Sequence, residues 1–82
     1  MTEDFIRDTI LMRLCEVAPE TAERSLDPNT DVCQQLALDD SDYWAYVSAV
    51  GDELGLSIPE DDFAKLRTIS SGVSYLSTRL PG

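Results

Sequence analysis

The sequence predicts an all-α fold: a bundle of three long helices and one short helix, with a long loop after the first helix. Apolar residues recur at helical spacing in three separate stretches, and no stretch alternates at period two as a half-buried strand would. The chain has 82 residues, of which 43% are hydrophobic. This size suits one domain, residues 1–82, around one modest core.

The first helix is predicted over residues 3–17. Thr2 is expected to cap it, because a threonine oxygen accepts hydrogen bonds from the free amides of a helix start. Phe5 and Met12 are expected to widen the inward-facing stripe of this helix. The stripe itself consists of residues at helical spacing: Ile6, Ile10, Leu14 and Val17.

Residues 18–39 are predicted to form mainly a loop, because two prolines and many turn-forming residues interrupt any apolar period. The stretch "PETAER" is compatible with one helical turn. A loop of this length in so small a domain is often functional. Three apolar residues are expected to anchor it to the core: Val32, Leu36 and Leu38.

The second long helix is predicted over residues 40–54 and ends at Gly55, a residue that favours the left-handed conformation after a helix. Trp44 is expected to face the core, with Ala45 and Tyr46 on the flanks of the apolar stripe. The stripe consists of Trp44, Val47, Val50 and Leu54.

In the last part of the chain the sequence predicts a short helix followed by the third long helix. The stretch "EDDFAKL" follows Pro59, which prevents simple continuation of the preceding helix, and it turns Phe63 and Leu66 inward. Thr68 is expected to cap the final helix. The stripe of that helix consists of Ile69, Val73, Leu76 and Leu80.

The charge of the chain restricts its partners. The formal net charge is −10, and there is no histidine. Nucleic acids and anionic membrane surfaces need Lys and Arg, so neither is an expected partner. A strongly acidic protein instead favours partners with basic surfaces. We expect no enzyme activity, because the usual general base at neutral pH is missing and no nucleophile–base pair is visible.

Cys15 and Cys33 lie among apolar neighbours at no metal-ligand or redox spacing, so we expect two reduced, partly buried thiols. The acidic start "MTEDFIRD" is unlike a signal peptide, and no apolar run approaches the roughly 20 residues of a membrane span. These features predict a cytoplasmic protein, and we expect it to be a monomer. No metal site is expected, because the acidic residues at 39–42 do not match the glycine and glutamate positions of a calcium loop.

The second half of the chain, from "LALDDSDYW" to "SSGVSYL", resembles the acyl carrier proteins. That family has an Asp-Ser-Leu-Asp motif, a helix, an Ile-Pro pair, a short acidic helix and a final helix. Here the later landmarks occur in order: Ile58 with Pro59, Thr68 with Ile69, and Tyr75 with Leu76. The resemblance implies a carrier or docking module in fatty acid or polyketide biosynthesis.

The resemblance also identifies the position at which this chain departs from the family pattern. In acyl carrier proteins a serine at the start of the second helix receives 4′-phosphopantetheine, about nineteen residues before the proline. Counting back from Pro59 leads to Asp40, while Asp39 and Asp42 match the flanking aspartates. Ser41 falls one residue late. Asp40 is expected to act as the helix cap instead, since aspartate caps as well as serine does.

A slip of one residue would bring Ser41 to the attachment position, and burial opposes it. The slip would move Ala45, Ser48 and Gly51 into the core in place of larger apolar side chains, each worth roughly 1.5–3 kcal/mol when buried. The unslipped register is therefore predicted. A local adjustment within residues 39–41 stays open, because helix starts fray.

Two hypotheses follow from the resemblance. In the favoured one, Asp40 replaces the attachment serine, and the chain is a docking or regulatory homologue without a prosthetic arm. In the other, Ser41 is a displaced attachment site for 4′-phosphopantetheine and carries acyl thioesters. In both, acyl-transfer, synthase or ligase enzymes with basic surfaces are the expected partners. The expected docking residues are Asp39, Asp42, Tyr43, Tyr46, Glu60, Asp61 and Asp62.

Overall fold

Helical segments account for most of the chain that the computed structural model describes, residues 2–23 and 25–80. There are four α-helices and two 3-10 helices within these ranges, and no strand. In order they are α1 (Glu3–Val17), the first 3-10 helix (Pro19–Glu23), α2 (Val32–Leu36), α3 (Asp40–Leu54), the second 3-10 helix (Glu60–Leu66) and α4 (Ile69–Arg79). The predicted all-α class is confirmed.

Three predicted helix ends are confirmed by their geometry. The Thr2 hydroxyl oxygen accepts a hydrogen bond from the Phe5 amide at 3.2 Å, and the Thr68 hydroxyl oxygen accepts one from the Ser71 amide at 3.1 Å. Gly55 ends α3 in the left-handed conformation, with φ of 69°. Each of these residues satisfies backbone groups that the helix itself leaves free.

The core lies where α1 packs against α3 and α4. The second 3-10 helix also contacts α3 and α4. The predicted stripes of α1 and α4 are largely confirmed, with Val17 only partly buried. The predicted loop anchors Val32 and Leu36 are buried as well. The fully or nearly fully buried residues among those predicted are Ile6, Ile10, Leu14, Val32, Leu36, Val47, Val50, Leu54, Leu66, Ile69, Val73, Leu76 and Leu80.

The prediction that Phe5 and Met12 widen the α1 stripe is wrong. Phe5 is 48% exposed and Met12 is 55% exposed. Phe5 precedes the buried Ile6 by one residue, so it lies about 100° around the helix, and Met12 lies about 200° from Ile10. Both side chains therefore point away from the core and stay exposed, although they are hydrophobic.

The loop after α1 contains more structure than predicted. The turn expected in "PETAER" is the first 3-10 helix, Pro19–Glu23. Arg24, the last residue of that stretch, lies outside the described residues. The helix α2 lies in a stretch that was predicted as loop, and Asp31 caps its start by accepting a 2.8 Å hydrogen bond from the Cys33 amide. No helix within residues 2–23 and 25–80 is long and apolar enough to cross a membrane.

Candidate functional site

The start of α3 is fixed by Asp39. Its Oδ1 accepts a hydrogen bond from the Asp42 amide at 2.8 Å, and its carbonyl oxygen accepts one from the Tyr43 amide at 3.0 Å. The backbone of Asp39 is extended, with φ of −88° and ψ of 179°, as a capping residue requires. The prediction that Asp40 caps the helix is therefore wrong by one residue, because its neighbour already satisfies the free amide.

Asp40 and Ser41 occupy the first two positions of α3, and both are exposed. Their side chains therefore face solvent at the positive end of the helix dipole, where a carboxylate is favoured. The register further along α3 is the predicted one, since Val47, Val50 and Leu54 are buried.

A tight turn leads the chain into α3. Ala37 adopts the left-handed conformation, with φ of 53°, after the end of α2. The Leu38 amide then donates to the Cys33 carbonyl oxygen at 3.1 Å, and the Leu38 side chain packs against the core. This turn places α2 directly before the acidic helix start.

Cys33 on α2 is a free, partly buried cysteine, as is Cys15 on α1, which agrees with the sequence prediction. Burial is the main cause that raises the pKa of the Cys33 thiol, and the negative charges of Asp31 and Asp40 raise it further, while Arg67 opposes them. Because the thiolate is the nucleophilic form, this environment suppresses the reactivity of Cys33 at neutral pH.

The prediction that Tyr43 and Tyr46 form an exposed docking surface is wrong. Tyr43 is 5% exposed and Tyr46 is fully buried, and their rings meet edge to face at 5.7 Å. The Tyr46 hydroxyl donates to the Leu66 carbonyl oxygen at 3.2 Å, and the Tyr43 hydroxyl donates to the Phe63 carbonyl oxygen. Burial raises the pKa of both phenols. The two tyrosines thus hold the second 3-10 helix against α3.

The prediction that Trp44 faces the core is also wrong. Its side chain is 47% exposed, and its ring packs edge to face against Phe63 with centroids 4.8 Å apart. At about 100° per residue around α3, Tyr43 lies about 20° from the centre of the buried face and Trp44 about 80° from it. Phe63, predicted to point inward, is half-buried. Together the two rings form an aromatic pair at the surface.

Arg67 connects the second 3-10 helix to the segment that precedes α3. Its guanidinium lies 3.2 Å from the Asp31 carboxylate and 5.0 Å from the centre of the Tyr43 ring. The Arg67 carbonyl oxygen accepts a hydrogen bond from the Val32 amide at 2.7 Å. These contacts join the start of α2 to the end of the second 3-10 helix and to Tyr43 in the first turns of α3.

The three acidic residues predicted to dock a partner at the second 3-10 helix do not all have the same environment. Glu60 and Asp61 are exposed at the start of the second 3-10 helix. Asp62 instead accepts hydrogen bonds from the Tyr75 hydroxyl at 2.7 Å and from the Arg79 guanidinium at 2.9 Å. The Tyr75 bond first, and then Arg79, hold the pKa of Asp62 below its ordinary value. Asp62 therefore joins the second 3-10 helix to α4.

Comparison with known proteins adds one relative. The acyl carrier protein of Lactobacillus acidophilus is 30% identical to the chain over 59 residues, which cover 72% of this chain and 74% of that protein. No protein-family model matches the sequence. No solved structure matches it either.

Proposed function

Because the chain belongs to the acyl carrier protein family, we propose that it is a docking module for acyl-transfer or biosynthetic enzymes in which Asp40 occupies the attachment position. The observation that carries this proposal is the register of α3. Asp39 caps the helix, and Asp40 is its first residue. Of the residues that the unslipped register places in the core, Val47, Val50 and Leu54 are buried and Trp44 is half-exposed. The family spacing counted back from Pro59 leads to that same first residue.

The residue at this position does not fit the prosthetic group of the family. 4′-Phosphopantetheine is attached through a phosphodiester, which requires a hydroxyl oxygen from the protein. A carboxylate at Asp40 would instead give a mixed anhydride with phosphate, which water hydrolyses readily. The proposed role therefore depends on the surface of the module rather than on a thiol arm.

The docking face of the module consists of Asp39, Asp40, Asp42, Trp44 and Phe63. Asp40 and Trp44 are four residues apart on α3, so their side chains share one side of the helix. Carboxylates attract a basic partner and raise the association rate, while an exposed aromatic ring supplies the buried anchor of an interface. The partner expected from this chemistry has an apolar pocket with a rim of Lys and Arg.

Exposed Glu60 and Asp61 extend this acidic rim along the second 3-10 helix, next to Phe63. Tyr43 and Tyr46 are not part of the docking face, because both are buried. Their role is to hold the backbone behind it.

A second candidate function is favoured by one observation, the exposure of Ser41 at the second position of α3. A hydroxyl there is accessible to a transferase, and the first turn of a helix frays more readily than its interior. In this case the chain carries acyl thioesters on 4′-phosphopantetheine attached to Ser41.

Intact mass distinguishes the two functions. The purified protein is incubated with coenzyme A and a broad-specificity phosphopantetheinyl transferase, and its mass is recorded beside that of a known carrier protein. We expect no mass gain for the natural sequence and a gain of one phosphopantetheine unit for Asp40→Ser. The matched variant Asp40→Ser with Ser41→Ala should gain the same unit, since the new serine is the modified one.

A gain in the natural sequence that is lost in Ser41→Ala would establish the second function instead. If Asp40→Ser folds and yet stays unmodified while the known carrier is modified, the assignment of Asp40 to the attachment position is wrong. Far-ultraviolet circular dichroism of each variant shows whether it has folded.

A further inference from the structure

A small pocket adjoins the docking face, with which it shares the side chain of Phe63. It lies between the second half of α3, the segment 56–58 and the second 3-10 helix, and it has a volume of about 190 Å³. Small-molecule sites occupy roughly 300–1,000 Å³. The pocket is therefore smaller than a typical ligand site, and its size suits a single long side chain of a partner.

The lining of this pocket is more polar than apolar. Ser48 and Asp52, one turn apart on α3, contribute two polar side chains, and Ser57 contributes a third from the opposite side. Gly51 lies between the first two and adds no side chain. A Cβ at Gly51 would lie 2.9 Å from the Leu56 carbonyl oxygen, so the segment 56–58 approaches α3 this closely only because the residue is a glycine.

The three polar side chains have no hydrogen-bond or ion-pair partner within residues 2–23 and 25–80. Other hydroxyls on the helices do have one. Thr9 donates to the carbonyl oxygen of the preceding turn at 2.9 Å, and Thr78 does the same at 2.7 Å. Ser48 makes no such bond, so its hydroxyl oxygen can accept from a partner, as can Ser57 and the Asp52 carboxylate.

The charges around the pocket favour a cation. Arg13 lies 2.6 Å from the carboxylate of Glu53, the residue next to Asp52, and Arg79 lies 2.9 Å from the Asp62 carboxylate. Both arginines are thus already paired, and neither neutralises Asp52. The whole protein has a net charge of −10, which adds to the attraction of a positive group.

The chemistry of the pocket favours arginine over lysine. A guanidinium is planar and has five N–H donors, so it can bond to a carboxylate and to hydroxyl oxygens at the same time. It also stacks on aromatic rings, and the Phe63 ring is available for this. A lysine ammonium is compact and strongly hydrated, so it gains less from such a site.

We infer that this pocket binds one arginine side chain of a docked partner protein. The guanidinium pairs with the Asp52 carboxylate, donates to the hydroxyls of Ser48 and Ser57, and stacks on the Phe63 ring. This inference rests on the proposed docking function, because it names the group that a partner places beside the exposed aromatic pair.

The experiment is a titration of the full chain with Nα-acetyl-arginine amide at constant ionic strength, followed by backbone amide shifts in nuclear magnetic resonance spectra. We expect saturable shifts at Ser48, Asp52 and Ser57. Nα-acetyl-citrulline amide has the same shape without the charge and should give no saturable shift. Nα-acetyl-lysine amide should bind with a Kd about threefold higher, and Phe63→Leu should remove this difference.

Two matched variants test the location. Asp52→Asn should raise the Kd of the arginine probe about fivefold, as expected for one exposed ion pair. Asp61→Asn makes the same change of net charge at an exposed residue that does not line the pocket, so its Kd should stay within about twofold of the natural value. Far-ultraviolet circular dichroism shows whether each variant has folded.

Equal effects of the two variants would overturn the inference, as would equal binding of the citrulline probe or the absence of saturable shifts. Shifts confined to residues 39–42 would also overturn it, but they would leave the docking function intact, since a cation would then prefer the start of α3. A mass gain of the natural sequence in the transferase assay would refute the proposed function without changing this titration.

Discussion

Removal of the Asp39 carboxylate tests the start of α3, on which the proposed function depends. In Asp39→Ala the Asp42 amide loses its 2.8 Å acceptor. Loss of a helix cap costs about 1 kcal/mol, within a range of 0.5–2. In a domain of this size, 1 kcal/mol lowers Tm by roughly 4–8 °C. The variant should therefore unfold at clearly lower temperature than the natural protein.

Asp40→Ala is the matched control, because it removes the same chemical group one residue later. Asp40 is exposed and caps nothing, so only its attraction to the helix dipole is lost. That loss is partly offset because the variant also reduces the excess negative charge of the protein. We expect its free energy of unfolding to stay within about 0.5 kcal/mol of the natural value.

Urea unfolding followed by circular dichroism at 222 nm measures both variants under the same salt conditions. Asp39→Asn separates the cap from the charge, since asparagine caps as well as aspartate, and it should retain most of the stability. If Asp40→Ala costs as much as Asp39→Ala, or more, then α3 begins one residue later than described. Asp40 would then no longer be the first residue of α3, and its assignment to the attachment position would lose its structural support.

Two other predictions concern the contacts that hold the second 3-10 helix. Tyr46→Phe should lower the free energy of unfolding by about 1–2 kcal/mol, because it leaves a buried carbonyl oxygen without its donor. Urea unfolding checks this, and an unchanged midpoint would mean that the hydroxyl does not make this bond. For Asp62, Tyr75 and then Arg79 hold the pKa below its ordinary value of 3.8. A lowered folded-state pKa stabilises the protein above pH 3.8, and this stabilisation is lost as the pH falls below it. Asp62→Asn should therefore reduce stability at pH 7 more than at pH 3, and equal losses at the two pH values would contradict this.

Periodicity alone predicted α1 and α4, because each contains one clear stripe of aliphatic residues bounded by a capping threonine. Ile6, Ile10 and Leu14 leave a single inward direction for α1, and the stripe of α4 does the same. Phe5 and Met12 were placed wrongly because their size was given more weight than their angle. The direction of a residue on a helix decides its burial more reliably than its hydrophobicity does.

The inward face of α3 was harder to predict, because aromatic residues occupy three of the four positions from 43 to 46. Both Tyr43 and Trp44 are compatible with a buried Val47, at i, i+4 and i, i+3 spacing respectively. Which of the two is buried depends on contacts with the second 3-10 helix, and the sequence of α3 contains no information about them. A tyrosine is suited to the core here only because backbone carbonyl groups of the second 3-10 helix accept hydrogen bonds from its hydroxyl.

The short helix α2 escaped prediction for a related reason. Five residues contain too little periodic signal, and isolated helices of this length are not stable in water. Its stability comes from Asp31 at one end and from the burial of Val32 and Leu36 against the bundle. Both depend on tertiary contacts. The sequence did indicate the anchors correctly, although it left their conformation undetermined.

The buried tyrosine and the exposed tryptophan belong to one arrangement. The Tyr43 hydroxyl donates to the carbonyl oxygen of Phe63, whose ring packs against Trp44. The backbone of residue 63 is therefore fixed from the inside, while its side chain supports the exposed indole from the outside. A side chain that is held in place before binding loses less conformational entropy on association. For this reason Tyr43, which has almost no surface of its own, supports the proposed docking face through position. In that proposal Trp44 takes the docking role that the sequence had assigned to Tyr43 and Tyr46.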